Sequence, residues 1–199
     1  MKKIVFAMTL LLAAATTAYS QTAQSVLDKA ASVINAKNGV EANFKMTGGM
    51  GNVSGTISVK GRKFQATTPV ATMWFDGKTQ WTWLKKNDEV SVTTPTEAQL
   101  QAINPYNFIN MYKDGYKMTM STSDTEYIVH LTASSTAKKV QEMFITINKK
   151  NNHPTQVKML QGKKWTTFDI TSLQNKTLDD AVFRFNAKDY PTAEVIDLR

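Results

Sequence analysis

Met73-Trp74-Phe75-Asp76-Gly77-Lys78-Thr79-Gln80-Trp81-Thr82-Trp83 reads as two short strands folded back on each other, and this stretch decides the class of the fold. Asp-Gly is a strong two-residue hairpin signal when bulky residues flank it, because glycine accepts the positive φ such a turn requires. Outward from the hairpin the period stays at two. On its N-terminal side Val40, Ala42, Phe44 and Met46 alternate with Glu41, Asn43, Lys45 and Thr47, the pattern of a half-buried strand. Gly48-Gly49-Met50-Gly51-Asn52 turns the chain, and Val53, Ile57 and Val59 continue the alternation to Lys60. Shorter strands are predicted at about 63–68, 71–75, 79–84 and 89–94, and further ones at about 116–121, 126–134, 140–148, 154–161 and 164–172. Phe183-Arg184-Phe185 predicts a last strand.

Helical spacing occurs in few places. Val26, Leu27, Ala30, Val33 and Ile34 form one apolar stripe, with Ser25 and Asp28 as a capping box and Asn38-Gly39 as the stop. From Thr96 to about Tyr112 the chain reads as helical pieces broken at Pro105, and Thr177-Leu178-Asp179-Asp180 as a capped short helix. These elements predict an α+β fold: a curved antiparallel sheet, or unclosed β-barrel, of about eleven strands with an N-terminal helix and a helical lid insertion.

The first twenty residues read as an export signal. Lys2 and Lys3 supply the positive start, Ile4 to Ala15 an apolar stretch short for a bilayer, and Ala18-Tyr19-Ser20 a small-residue cleavage site. A membrane anchor is the competing reading, but Thr16 and Thr17 end the apolar run early. Residues 21–199 then form one domain, exported to the periplasm and soluble. Losing the leader removes two of the 24 basic residues and none of the 16 acidic ones, so the net charge falls from +8 to +6. The lysines are scattered in pairs along turns, as at Lys85-Lys86 and Lys149-Lys150, which argues for solvated hairpin ends and against nucleic acid. The chain has no cysteine, so packing alone holds the fold and no acyl anchor attaches at the mature N-terminus.

The residues give little support to catalysis. His130 lies mid-strand, His153 precedes a proline, and neither has a metal-ligand partner at a usual spacing, so no metal or cofactor is expected. Asp88-Glu89 fits a turn and Asp179-Asp180 a helix start. An esterase or glycosidase would need a reactive constellation that the sequence lacks. What it has in excess is soft apolar bulk. Trp74, Trp81, Trp83 and Trp165 fall on predicted strands, and eight methionines follow the leader. Core filling accounts for each of these singly. Together with the amphipathic insertion around Pro105 they suggest a deformable apolar cavity.

The order of motifs resembles the periplasmic outer-membrane lipoprotein carrier family (LolA-like). The likeness rests on the leading helix, Ala42-Asn43-Phe44-Lys45, Gly55-Thr56-Ile57-Ser58-Val59-Lys60, Phe64, the hairpin Phe75–Trp83, Asn104-Pro105-Tyr106-Asn107-Phe108-Ile109 and the closing Phe183-Arg184-Phe185. It implies an unclosed barrel whose cavity shields lipoprotein acyl chains between an inner-membrane ABC transporter, as donor, and an outer-membrane acceptor. A lipid or lipoprotein sensor of the same fold, and a carrier of another lipid, are the alternatives. The cavity and lid candidates are Phe44, Met46, Ile57, Val59, Phe64, Met73, Phe75, Trp81, Trp83, Ile103, Tyr106, Phe108, Ile109 and Met118. The family has an arginine that holds the lid shut; Arg62 is the candidate here, although the proline that follows it in the family is absent. A monomer is expected.

The leader reading has a direct check. N-terminal sequencing of the exported protein is expected to begin at Gln21; a chain still beginning at Met1 in the membrane fraction would support the anchor.

Overall fold

The structure, a computed structural model, describes residues 22–49, 51–96, 99–100 and 110–199. It opens with helix α1 (Ala23–Ile34), which buries Val26, Leu27, Ala30 and Ala31 along one stripe. Its cap is Thr22, whose side chain accepts the Ser25 N–H at 3.1 Å, three residues earlier than the expected Ser25–Asp28 box. Asp28 sits in the second turn, beyond reach of the helix start, and accepts instead from the Tyr112 hydroxyl.

Twelve strands follow: β1 (Val40–Gly48), β2 (Val53–Lys60), β3 (Lys63–Thr67), β4 (Ala71–Phe75), β5 (Gln80–Leu84), β6 (Glu89–Thr93), β7 (Tyr116–Thr122), β8 (Glu126–Ala133), β9 (Val140–Asn148), β10 (Pro154–Gln161), β11 (Lys164–Asn175) and β12 (Glu194–Asp197). They make one curved, unclosed sheet in the order β12-β6-β5-β4-β3-β2-β1-β11-β10-β9-β8-β7. All described pairings are antiparallel except β12 on β6. β1 is the hinge of the order, pairing β2 on one side and β11, some 120 residues later, on the other. A bulge at Asn43/Phe44 shifts the register with β11 and bends the sheet there.

The curved, unclosed sheet is the one expected, with twelve strands among the described residues. Two expectations change. The closing Phe183-Arg184-Phe185 is not a strand: Phe183 ends a 3-10 turn (Asp180–Phe183) capped by the Asp179 carboxylate. This segment crosses the face of β3 and β4, whose two edges are already paired, so no ladder position is open to it. The last strand is β12, added at the free edge of β6. In the decisive hairpin the turn residues are Gly77-Lys78 rather than Asp76-Gly77. Gly77 takes the positive φ of 102°, and Asp76 Oδ1 accepts from the N–H groups of Lys78 and Thr79 at 3.0 and 2.9 Å. Of the expected helical insertion, Leu100 is buried and Met111–Lys113 is a 3-10 turn; residues 101–109 lie outside the described residues.

Paired residues share a face of the sheet. Following the register from Val40 through Val59, Phe64 and Phe75 on one side, and through Phe168, Val157, Ile145 and Val129 on the other, defines one face. α1 packs on this inner face, over β7 to β11, where Val129, Leu131, Met143, Ile145, Ile147 and Met159 are fully buried. A second cluster of Val40, Val59, Phe64, Phe75 and Leu100 continues across β1 to β4.

Ile145 is fully buried beneath α1. Replacing it with alanine is expected to lower the unfolding free energy by about 2–5 kcal/mol, read as a fall in the urea midpoint, since a well-packed site leaves a cavity.

Candidate functional site

The inner face changes character along the sheet. Beneath α1 it is solid core. Other apolar side chains of the face are only half-buried: Phe44 and Met46 on β1, Ile57 on β2 and Met73 on β4 beyond the helix, and Phe168 on β11 with Met118 and Met120 on β7 at the margin of the α1 core. Phe44 leans over Gly55, its partner on β2. A Cβ there would lie 2.3 Å from the Thr67 carbonyl oxygen and 3.0 Å from the Phe44 ring, so glycine makes the room the ring occupies. Phe44 also meets Phe168 across the bulge, ring centroids 6.5 Å apart.

Of the candidates named from sequence, the structure places Phe44, Met46, Ile57, Val59, Phe64, Met73, Phe75 and Met118 on this one face. Val59, Phe64 and Phe75 are at most 3 % exposed and serve as core; the other five are half-buried. Ile103, Tyr106, Phe108 and Ile109 lie outside the described residues. Arg62 stands exposed in the turn between β2 and β3. Phe168, Ile170 and Leu173, not anticipated, join the inner face from β11; the bulge breaks the simple alternation that would have revealed them.

Trp81 and Trp83 belong to the opposite face. Their partners are Trp74, Thr72, Val92 and Val90, and the C-terminal segment covers them. Tyr190 lies 4.6 Å from the Trp83 ring and 5.5 Å from Trp74, with Phe185 5.6 Å from Trp74. The cover over these tryptophans is the protein's own tail.

Polar contacts hold that tail. Asp88 accepts from the Trp83 indole N–H at 3.0 Å and from the Thr192 hydroxyl at 2.6 Å. Lys60 and Lys63 reach Asp180 at 3.1 and 2.7 Å, and Arg184 reaches Asp76 at 3.3 Å. The other outer-face feature is a row across β8, β9 and β11: His130 stacks on Phe144 at 4.2 Å, bonds Glu142 at 2.9 Å, and Phe144 approaches Trp165 at 5.9 Å. Among the described residues no three His, Cys, Asp or Glu side chains meet as a metal site would need, and no helix is long and apolar enough to cross a membrane.

A half-shell with an apolar, partly uncovered inner wall defines the class: a fold that shelters apolar surface on one side of a sheet. The model of the outer membrane lipoprotein carrier protein LolA family matches residues 13–163, and the chain belongs to that family. No curated protein matches it. Among solved structures, an uncharacterized conserved protein from Thermus thermophilus is similar with a TM-score of 0.60 at 13% identity, covering 89% of this chain and 99% of that one. A LolA superfamily protein from Nitrosomonas europaea has a TM-score of 0.45 at 14% identity, covering 83% and 99%. The lipoprotein LppX from Mycobacterium tuberculosis has 0.44 at 10%, covering 78% and 98%. The first of these shows the fold. The family match stops at residue 163, so β11, the tail and β12 lie beyond it.

Hydrogen bonds from Thr192 and Trp83 hold the Asp88 carboxyl below the usual carboxylate range, and those from Lys63 and Lys60 do the same for Asp180. A carboxyl lowered in the folded state stabilises it above the unfolded value and loses that contribution as pH falls through the lowered one. The tail is therefore expected to stay docked at neutral and mildly acidic pH and to loosen below about pH 4. Tryptophan fluorescence between pH 7 and 2 checks this; Asp88→Asn should flatten the acid-side change reported by Trp83.

Proposed function

We propose that the protein is an exported carrier that shields acyl chains of lipoproteins on its inner wall during transfer from the inner to the outer membrane. The observation that carries this reading is the wall itself: Phe44, Met46, Ile57, Met73 and Met118 share one face and are left half-buried, where an ordinary core would pack them fully. Membership of the lipoprotein carrier family supports it. Each methylene taken out of water is worth about 0.8 kcal/mol, so sheltering one long acyl chain is worth on the order of 10 kcal/mol. Carriage on those terms needs no reactive group, and the protein is read as a binding protein rather than an enzyme.

In this reading the leader delivers the chain to the periplasm, and the donor and acceptor are an inner-membrane ABC transporter and an outer-membrane receptor. Met73, Phe44 and their neighbours contact cargo. Arg62, at the exposed β2–β3 turn, holds the lid; this role rests on resemblance.

Native mass spectrometry of the protein purified from periplasm tests the proposal. Co-purifying acylated peptides are expected. Free phospholipid or glycolipid would instead indicate carriage of another lipid, and a protein stripped of any apolar ligand would count against carriage. Met73→Lys, which puts a charge on the half-buried wall, is expected to cut bound acyl ligand at least about tenfold while leaving the fold intact by circular dichroism.

A further inference from the structure

The inner wall is not apolar throughout. Past Met73 the register brings Gln80 and Thr82 of β5, then Ser91 and Thr93 of β6, onto the same face. Gln80 is the Cα partner of Phe75, at the edge of the second apolar cluster. Its Nε2 group donates to the Thr82 hydroxyl at 3.3 Å, yet its Oε1 is buried and accepts nothing. One other buried side-chain atom among the described residues shares that condition. It is Asn35 Oδ1, at the C-terminus of α1, whose neighbours Ile34 and Ala36 pack against the same cluster. Buried acceptors are satisfied in folded proteins as a rule, so two orphans bordering one apolar field are an opening for donors from outside the chain.

Charge narrows the choice of ligand. On β1 to β6 and β12 the inner face carries no cation; the register puts Lys164 on that face only at the start of β11, on the far side of β1. The charged side chains beside the strip are Glu89 on β6 and its partner Glu194 on β12. Nothing on β5, β6 or β12 would compensate a phosphate on this face, and the two carboxylates would oppose one.

We infer that the β5–β6 strip, centred on Gln80, is a head-group subsite that selects acyl chains whose head is uncharged and donates hydrogen bonds, as an N-acylated peptide does through its amide N–H, over esters and anionic phospholipids. The chain lies on the methionine- and phenylalanine-bearing wall, and the first amide N–H beyond it donates to Gln80 Oε1. An ester offers no N–H and leaves the acceptor orphaned. A phosphate head brings a charge that the strip repels. Gln80 is thus a specificity-determining residue for the carrier function proposed above, and the inference rests on that reading.

The test uses the full chain, freed of bound lipid, and three probes sharing one palmitoyl chain: an N-palmitoyl dipeptide amide, methyl palmitate and palmitoyl lysophosphatidylglycerol. Titration calorimetry on the wild type is expected to rank the amide roughly tenfold tighter than the ester, the worth of one hydrogen bond to a buried group, with the anionic lipid weakest. Gln80→Leu should abolish the gap between amide and ester by weakening the amide alone. Equal wild-type affinities for amide and ester, or the anionic lipid binding tightest, would overturn the subsite while leaving carriage standing. Failure of all three probes to bind would sink carriage itself. The wild-type ranking decides the matter even if Gln80→Leu does not fold.

Discussion

Twelve strands at a spacing of about 4.8 Å make a sheet on the order of 50 Å across, whereas a helix of twelve residues is about 18 Å long. The rest of the molecule depends on that mismatch. α1 is wide enough to seal the inner face over β7 to β11, and there Ile145, Leu131 and Met159 are as dry as any core. Past its reach, over β1 to β4, Phe44, Met46, Ile57 and Met73 stay half-buried beside the buried cluster of Val40, Val59, Phe64, Phe75 and Leu100. Sheet width set against helix length thus leaves part of the inner face outside the cover of α1.

The two faces of the sheet solve the same problem in different ways. On the outer face, β4 to β6 carry Trp74, Trp81, Trp83, Val90 and Val92, and the chain covers them with its own tail through Phe185, Tyr190 and the bonds to Asp88. On the inner face directly behind, the side chains turn polar, from Met73 to Gln80, Thr82 and Ser91. One end of the sheet is thus apolar outward and polar inward, and the rest the reverse. A cover that belongs to the chain can be fixed in place by buried aromatic contacts and carboxylate bonds. A cover that must come and go is better met by methionine and phenylalanine, which repack around different shapes.

What the sequence made legible was local. Period-two alternation located β1 and β2, and Asp76-Gly77 located the β4–β5 hairpin, because turn chemistry and side-chain alternation act over a few residues. The inner-wall residues Phe44, Met46, Ile57 and Met73 could be named since they lie on such strands. Non-local arrangements could not be read. Trp81 and Trp83 were grouped with the wall because they are large and apolar; their true face depends on Tyr190, more than a hundred residues away. β12 docks beside β6 across a similar separation, and its short Glu-Val-Ile-Asp run has no signature of its own. Phe183-Arg184-Phe185 has strand spacing but finds no free edge. At the helix start two local signals competed, and Thr22 prevailed over Ser25 through simple reach.

The parallel β12 has a consequence for the protein's behaviour among its own copies. An open sheet ends in bare backbone, and β6, with Val90 and Val92, would be a template for joining molecules edge to edge. β12 occupies that edge with a four-residue strand bracketed by Glu194 and Asp197, too short and too acidic to recruit a further strand readily. β12 thus acts as a stopper against polymerisation, so removing it would harm solubility first.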